Sequence, residues 1–105
     1  MGVLPLFLVG LAFSIAAFIT MKFPPKKING VYGYRTPRSM KSQENWDIAQ
    51  RYSSRLMLKQ GVVMLAIGGM LIALPIPDEV SAVISIALLV VSVIVLFVQT
   101  EKKLK

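Results

Sequence analysis

The segment Gly33-Tyr34-Arg35-Thr36-Pro37 holds the groups in this chain best suited to recognition. The Arg35 guanidinium is permanently charged and offers a planar fork of N–H donors that fits a phosphate or a carboxylate. Gly33 allows a backbone angle closed to most residues, or a close approach, and Thr36 sets a hydroxyl beside the fork. Two uses are open to Arg35: binding an outside anion, either a lipid headgroup or a partner's carboxylate, or tying together the carbonyls of its own loop. Upstream, Asn29-Gly30 is a turn signal because both residues tolerate positive φ. Tyr32 and Tyr34 supply amphipathic rings suited to the headgroup level of a bilayer. The expectation is a compact interfacial loop, with a small hairpin as one form of it. A second pattern follows at four-residue spacing: Asp47, Arg51, Arg55 and Lys59. On a helix these make an Asp47–Arg51 pair leading into a basic stripe, whose plain use is contact with anionic lipid headgroups.

Catalysis has little else to work with. The chain contains neither cysteine nor histidine, which removes thiol nucleophiles, disulfides, imidazole bases and the usual zinc ligands. Its acids are Glu44, Asp47, Asp78, Glu79 and Glu101, and none falls inside an apolar stretch, so no carboxylate is placed to relay protons or cations through a bilayer. No nucleophile–base pair is visible. No catalytic residue, cofactor or metal is therefore expected. The formal charge of +7 invites a nucleic-acid reading. The basic residues flank apolar stretches, however, where they set topology and meet anionic headgroups. Nucleic acid is not an expected partner.

The elements that must position these groups are helices in lipid. Three long stretches are predominantly apolar, approximately residues 2–21, 56–74 and 80–99, and about twenty such residues cross a ~30 Å hydrocarbon layer. Met1 to Met21 lacks the basic leader of a cleaved secretory signal and reads as a retained anchor. All twelve Lys and Arg residues lie in the loop 22–55, at Lys59 or in the tail 101–105, while the turn 75–79 has none. Basic loops stay inside, so the amino terminus and the turn are expected outside, and the motif loop and carboxyl terminus in the cytoplasm. After Pro37 a helical pattern starts, capped by Ser39 or Ser42, with Trp46, Ala49, Ser53 and Leu56 on one face and Trp46 read as an interface anchor. Run without a break into the second span, this helix would far exceed the bilayer core. The pattern predicts either a bend near Lys59 to Gly61 or a helix protruding into the cytosol. The fold class is thus an all-α membrane protein of three transmembrane helices, with an amphipathic or interfacial helix and the motif loop between the first and second.

Small residues recur on each span: Gly10, Ser14 and Ala17; Gly61, Gly68 and Gly69; Ser81, Ser85 and Ser92. They let helices approach closely in lipid. Packing within one chain is the favoured reading, and a homo-oligomer is left open. The short turn makes spans two and three an antiparallel hairpin. Pro75 and Pro77 end the second span, and Asp78 is expected to cap the third.

In order along the chain, Pro24-Pro25, Asn29, Gly33-Tyr34-Arg35-Thr36, Ser39 and Trp46 closely resemble the signature of the SdpI-type immunity protein family, in a short, three-span form. Members of that family carry a proline-led, asparagine-containing segment, then Gly-x-Arg-Thr, a Ser or Thr, and a Trp between two spans. One departure is that Lys26-Lys27-Ile28 stands between Pro25 and Asn29, where the better-known form has the asparagine directly after the prolines. The resemblance implies a bacterial cell-membrane protein that protects a cell from its own membrane-active peptide toxin, or signals that toxin by holding a soluble repressor at the membrane. Asn29, Gly33, Tyr34, Arg35, Thr36, Pro37, Ser39 and Trp46 are then the candidate binding or loop-organising residues. Arg51, Arg55 and Lys59 are the candidate headgroup contacts. Two alternatives stand beside it: an adaptor that recruits a soluble regulator through the basic loop, and a small transporter subunit, which the uncharged spans disfavour.

Overall fold

The computed structural model describes residues 4–105, with side chains from residue 6 onward, so the expected start of the first span at residue 2 lies outside the described residues. Three helices follow one another: α1 (Leu4–Lys22), α2 (Gln43–Ala73) and α3 (Asp78–Lys102). Among the described residues there is no strand, so the motif loop is not a hairpin. α2 and α3 are long and apolar enough to cross a membrane, whereas α1 is apolar but shorter. Large apolar side chains point outward on all three helices, among them Leu8, Phe18, Val62, Met70, Val83 and Ile86. Such a surface belongs in hydrocarbon, where the helix satisfies its own backbone.

α1 and α2 run antiparallel and meet almost backbone to backbone. A Cβ added at Gly10 would lie 2.7 Å from the Leu65 nitrogen, and one at Gly61 would lie 2.7 Å from the Ser14 nitrogen. Gly68 faces the Phe7 backbone in the same seam, but Gly69 meets nothing. The small-residue stripes therefore serve packing within the chain, with Gly69 outside it. Leu6, Met64 and Leu71 form the buried apolar cluster beside this seam. α3 completes the bundle less intimately. Ser81 and Ser85 are buried on it, and the Gln60 side-chain amide crosses from α2 to donate to the Ser92 carbonyl at 2.9 Å.

α2 is one unbroken helix of 31 residues, about 46 Å long at ~1.5 Å per residue. That exceeds a ~30 Å core by about eleven residues. Of the two outcomes expected, the bend near Lys59 to Gly61 does not occur: the interfacial helix is not a separate element but the first turns of α2. The overhang runs through Gln43 to Ser53; the loop bonds its Asn45, Trp46 and Gln50 through Arg38, Pro25 and Tyr34, the tail bonds Asn45 through Lys105, and Ala49 and Ser53 are buried on the same stretch. Ser42 is the N-cap, its hydroxyl accepting from the Asn45 N–H at 3.1 Å, and Glu44 sits in the first turn where the dipole favours an acid. At the far end the Leu74 N–H bonds the Met70 carbonyl, and Pro75 and Pro77 follow. Pro77, not Asp78, occupies the cap position of α3. Asp78 is instead the first helical residue, with its acid in the first turn where the helix dipole favours it.

Candidate functional site

The motif residues converge on the overhang of α2. The loop leaves α1 through Pro24-Pro25, and the indole N–H of Trp46 donates to the Pro25 carbonyl at 2.5 Å. Trp46 has no exposed surface, so it is a loop-holding core residue and not an anchor facing lipid. Asn29 shapes its turn with its side chain: Oδ1 accepts from the Val31 and Tyr32 N–H groups at 2.9 and 2.7 Å, while Nδ2 donates to the Lys27 carbonyl. Positive φ plays no part at Asn29 or Gly30; among the described residues it occurs at Gly33 alone, with φ 102°. Gly33 is also crowded, since a Cβ there would lie 2.5 Å from Gln50 Oε1 and 2.7 Å from Pro25 Cγ. Both of the roles anticipated for this glycine, the unusual angle and the close approach, are used.

Beyond Gly33 the backbone is clamped. Gln50 Oε1 accepts from the Tyr34 N–H at 2.6 Å, and Gln50 Nε2 donates to the Tyr34 carbonyl at 2.7 Å. The Arg35 guanidinium donates to the Gly30 carbonyl, the second of the two uses open to it. Its remaining donors lie at an exposed rim. Thr36 and Ser39 exchange bonds: Ser39 Oγ accepts from the Thr36 N–H at 2.8 Å and Thr36 Oγ1 accepts from the Ser39 N–H at 3.1 Å. Ser39 is fully buried, so it folds the loop and leaves helix capping to Ser42. Pro37 is exposed and opens the turn closed by the Met40 N–H to the Thr36 carbonyl at 3.0 Å.

α3 is tied to this loop by one carboxylate. Glu101 Oε2 accepts from Tyr34 Oη at 3.2 Å and from Thr36 Oγ1 at 3.1 Å, and the Tyr34 ring rests on Phe97. An acid in the last turn of a helix opposes the dipole, and the two hydroxyl donors offset that cost. Burial first, and the Glu101 charge second, push the Tyr34 hydroxyl well above the ordinary phenol range. The folded chain then holds this proton more tightly than the unfolded one. The resulting stability is complete below pH 10.0, the ordinary tyrosine value, and is lost as pH rises beyond it. Tyrosinate absorbance in detergent is therefore expected to show a late-ionising component that Tyr34→Phe deletes; a titration curve unchanged in shape by that substitution would contradict it.

The tail closes the other flank. The Lys105 N–H donates to Asn45 Oδ1 at 3.1 Å, Lys105 Nζ pairs with Glu44 at 3.0 Å, and the Lys103 ammonium lies over the Tyr52 ring. The expected Asp47–Arg51 pair does not form among the described residues; Asp47 accepts from Gln43 Nε2 at 2.8 Å instead. Arg51, Arg55 and Lys59 are all exposed along α2.

Two open clefts, each of about 580 Å³, lie on either side of Gln50 and the Thr20–Ser54 hydroxyl pair. One takes in Tyr32, Tyr34 and Arg35 above an apolar floor of Ile19, Met57 and Phe97. The other is bounded by Lys26, Asp47, Arg51 and Arg55. Among the described residues no cluster of His, Cys, Asp and Glu is arranged to hold a metal. Gln50 and Glu101 are the organising residues that the motif does not include. Gln50 stands four residues after Trp46, on the same helical face, and an amide there signals a buried partner. Glu101 signals itself as an acid at the wrong end of a helix.

Comparison with known proteins bears on this loop directly. The model of the SdpI/YfhL protein family matches residues 26–100, from the loop through α2 and nearly all of α3. The chain is 42% identical over 99 residues to the "Uncharacterized protein YfhL" of Bacillus subtilis (strain 168), an alignment covering 93% of this chain and 84% of that protein. No solved structure matches.

Proposed function

The chain belongs to the SdpI/YfhL protein family, and from that premise we propose that it is a multi-pass cell-membrane protein that protects against, or senses, a membrane-active peptide. Its three helices all span, with the amino terminus outside and the motif loop and carboxyl terminus in the cytoplasm. The observation that carries this reading is the convergence of the motif on the overhang of α2, with Glu101 joining it to α3. Such a cap depends on how the helices stand relative to one another. A peptide that disturbs their packing disturbs the cap, and its outer face, with Arg38 and Lys41 exposed, is the surface offered to a soluble regulator. Arg35, Asn29, Gly33, Tyr34, Thr36, Pro37, Ser39 and Trp46 organise this loop, and Arg51, Arg55 and Lys59 face the headgroups. No step of bond making or breaking is involved.

Expression of the chain in a bacterium sensitive to membrane-active peptides tests the proposal. Survival under at least one peptide of a panel is expected to rise tenfold or more, and Gln50→Leu, which removes both side-chain bonds to the Tyr34 backbone and orphans its N–H, is expected to abolish the gain. Equal killing with and without the protein across the panel would overturn it. Reporter fusions at Arg35 and Asp78 are expected to report opposite compartments.

A further inference from the structure

The cleft bounded by Thr20, Met21, Pro24, Lys26, Arg51 and Arg55 has a chemistry that the motif does not explain. Three cations face one carboxylate, Asp47, which is already engaged by Gln43. Among the described residues neither Arg51 nor Arg55 is paired with an acid, whereas Glu44 is paired with Lys105. The two guanidinium-bearing residues stand one helical turn apart, about 6 Å along the axis, so both forks can reach one phosphodiester. Behind them lie polar groups held in place: the Thr20 and Ser54 hydroxyls bond each other at 2.8 Å, and Gln50 and Ser54 are almost fully buried. One wall is apolar, made by Met21, Pro24 and Pro25 at the end of α1, where the hydrocarbon layer gives way to headgroups. Lys59, the third member of the basic stripe, does not line this cleft.

We propose that this cleft is a binding site for one anionic phospholipid, its phosphate held by Lys26, Arg51 and Arg55 and its glycerol end lying on Met21 and Pro24. Charge selects the anion, and the wall at the end of α1 selects a lipid over a free ion. The inference rests on the orientation proposed above, which places this end of α1 in the cytoplasmic leaflet. It sharpens the idea of a uniform basic stripe, since it adds Lys26 and removes Lys59.

Native mass spectrometry of the full chain released from detergent, with phosphatidylglycerol or phosphatidylcholine added, reads the site directly. One phosphatidylglycerol is expected to be retained per chain, at least tenfold more tightly than phosphatidylcholine. Arg51→Gln with Arg55→Gln is expected to lose that preference, Lys26→Gln to weaken it several-fold, and Lys59→Gln to leave it within twofold of the parent. Thermal stability in detergent, unchanged in all of these exposed-site variants, separates lost binding from lost fold. A loss as large with Lys59→Gln, equal retention of the two lipids, or displacement by millimolar inorganic phosphate would each overturn the proposal. Its failure would leave the fusion reporters at Arg35 and Asp78 unchanged, whereas failure of the orientation would move them.

Discussion

Gly61→Val is expected to separate α1 from α2 and to unfold the bundle in mild detergent under conditions where the parent chain is stable. An added Cβ at this position would lie 2.5 Å from Ser14 Oγ, 2.7 Å from the Ser14 nitrogen and 3.0 Å from the Gly10 carbonyl oxygen. The hydroxyl could swing away, but it donates to the Gly10 carbonyl at 2.8 Å, and the other two obstacles are helix backbone. Neither helix can yield without moving as a whole. Overpacking typically costs ~1–3 kcal/mol, and a clash with backbone on two sides belongs at or above the upper end. In lipid the loss is not recovered elsewhere, because close packing itself drives helix association there. Gly69→Ala supplies the control. No atom stands within 4 Å of the added Cβ, so the substitution is expected to be neutral or slightly stabilising through helix propensity. Reversible denaturant titration of both variants in one detergent checks the pair; equal effects would remove the seam from the account of stability.

Trp46→Ala is expected to release the whole cap while leaving the bundle assembled. The indole has no exposed surface and donates to the Pro25 carbonyl, so its removal leaves a large void and an orphaned acceptor. Truncating a buried aromatic typically costs ~3–5 kcal/mol. That cost falls on the loop 23–42, whose hold on α2 otherwise depends on Gln50 and a few polar contacts. Limited proteolysis should then cut within that loop at least ten times faster, with the apolar helices still protected. Trp46→Phe keeps most of the packing and loses one hydrogen bond, worth ~1 kcal/mol, so its loop should resist cleavage far better than that of Trp46→Ala. Comparable cleavage of the two variants would show that the ring contributes little.

The helices were legible because lipid leaves a coarse mark on sequence: uncharged runs of the right length, and basic residues at their ends. Gly10, Ser14 and Gly61 could also be read as a packing stripe, since small side chains at helical spacing have few other uses in a bilayer. The pattern around Trp46 gives the right helix and the right face but the wrong neighbour. An aromatic near a membrane boundary has the same sequence pattern whether it meets lipid or a folded loop. Asn29 illustrates a different limit. Its turn was visible, yet the means was hidden, because a side-chain oxygen can do the work that positive φ does elsewhere. Glu101 lies 65 residues from Thr36, and no local pattern carries a contact at that separation. Its position against the helix dipole was the one trace available. Asp47 shows the converse, for a four-residue spacing allows an ion pair without enforcing it, and Gln43 competes successfully.

The unbroken course of α2 from Gln43 to Ala73 has a mechanical consequence. With no proline along it, the helix carries its apolar stretch and the residues that hold the loop on one continuous hydrogen-bonded element. A rotation imposed on its apolar part is passed along one element to Trp46 and Gln50, less what the Ser53-Ser54 and Gly68-Gly69 pairs absorb. Glu101 sits on a different helix, so the same rotation loads the bonds from Tyr34 and Thr36 in shear.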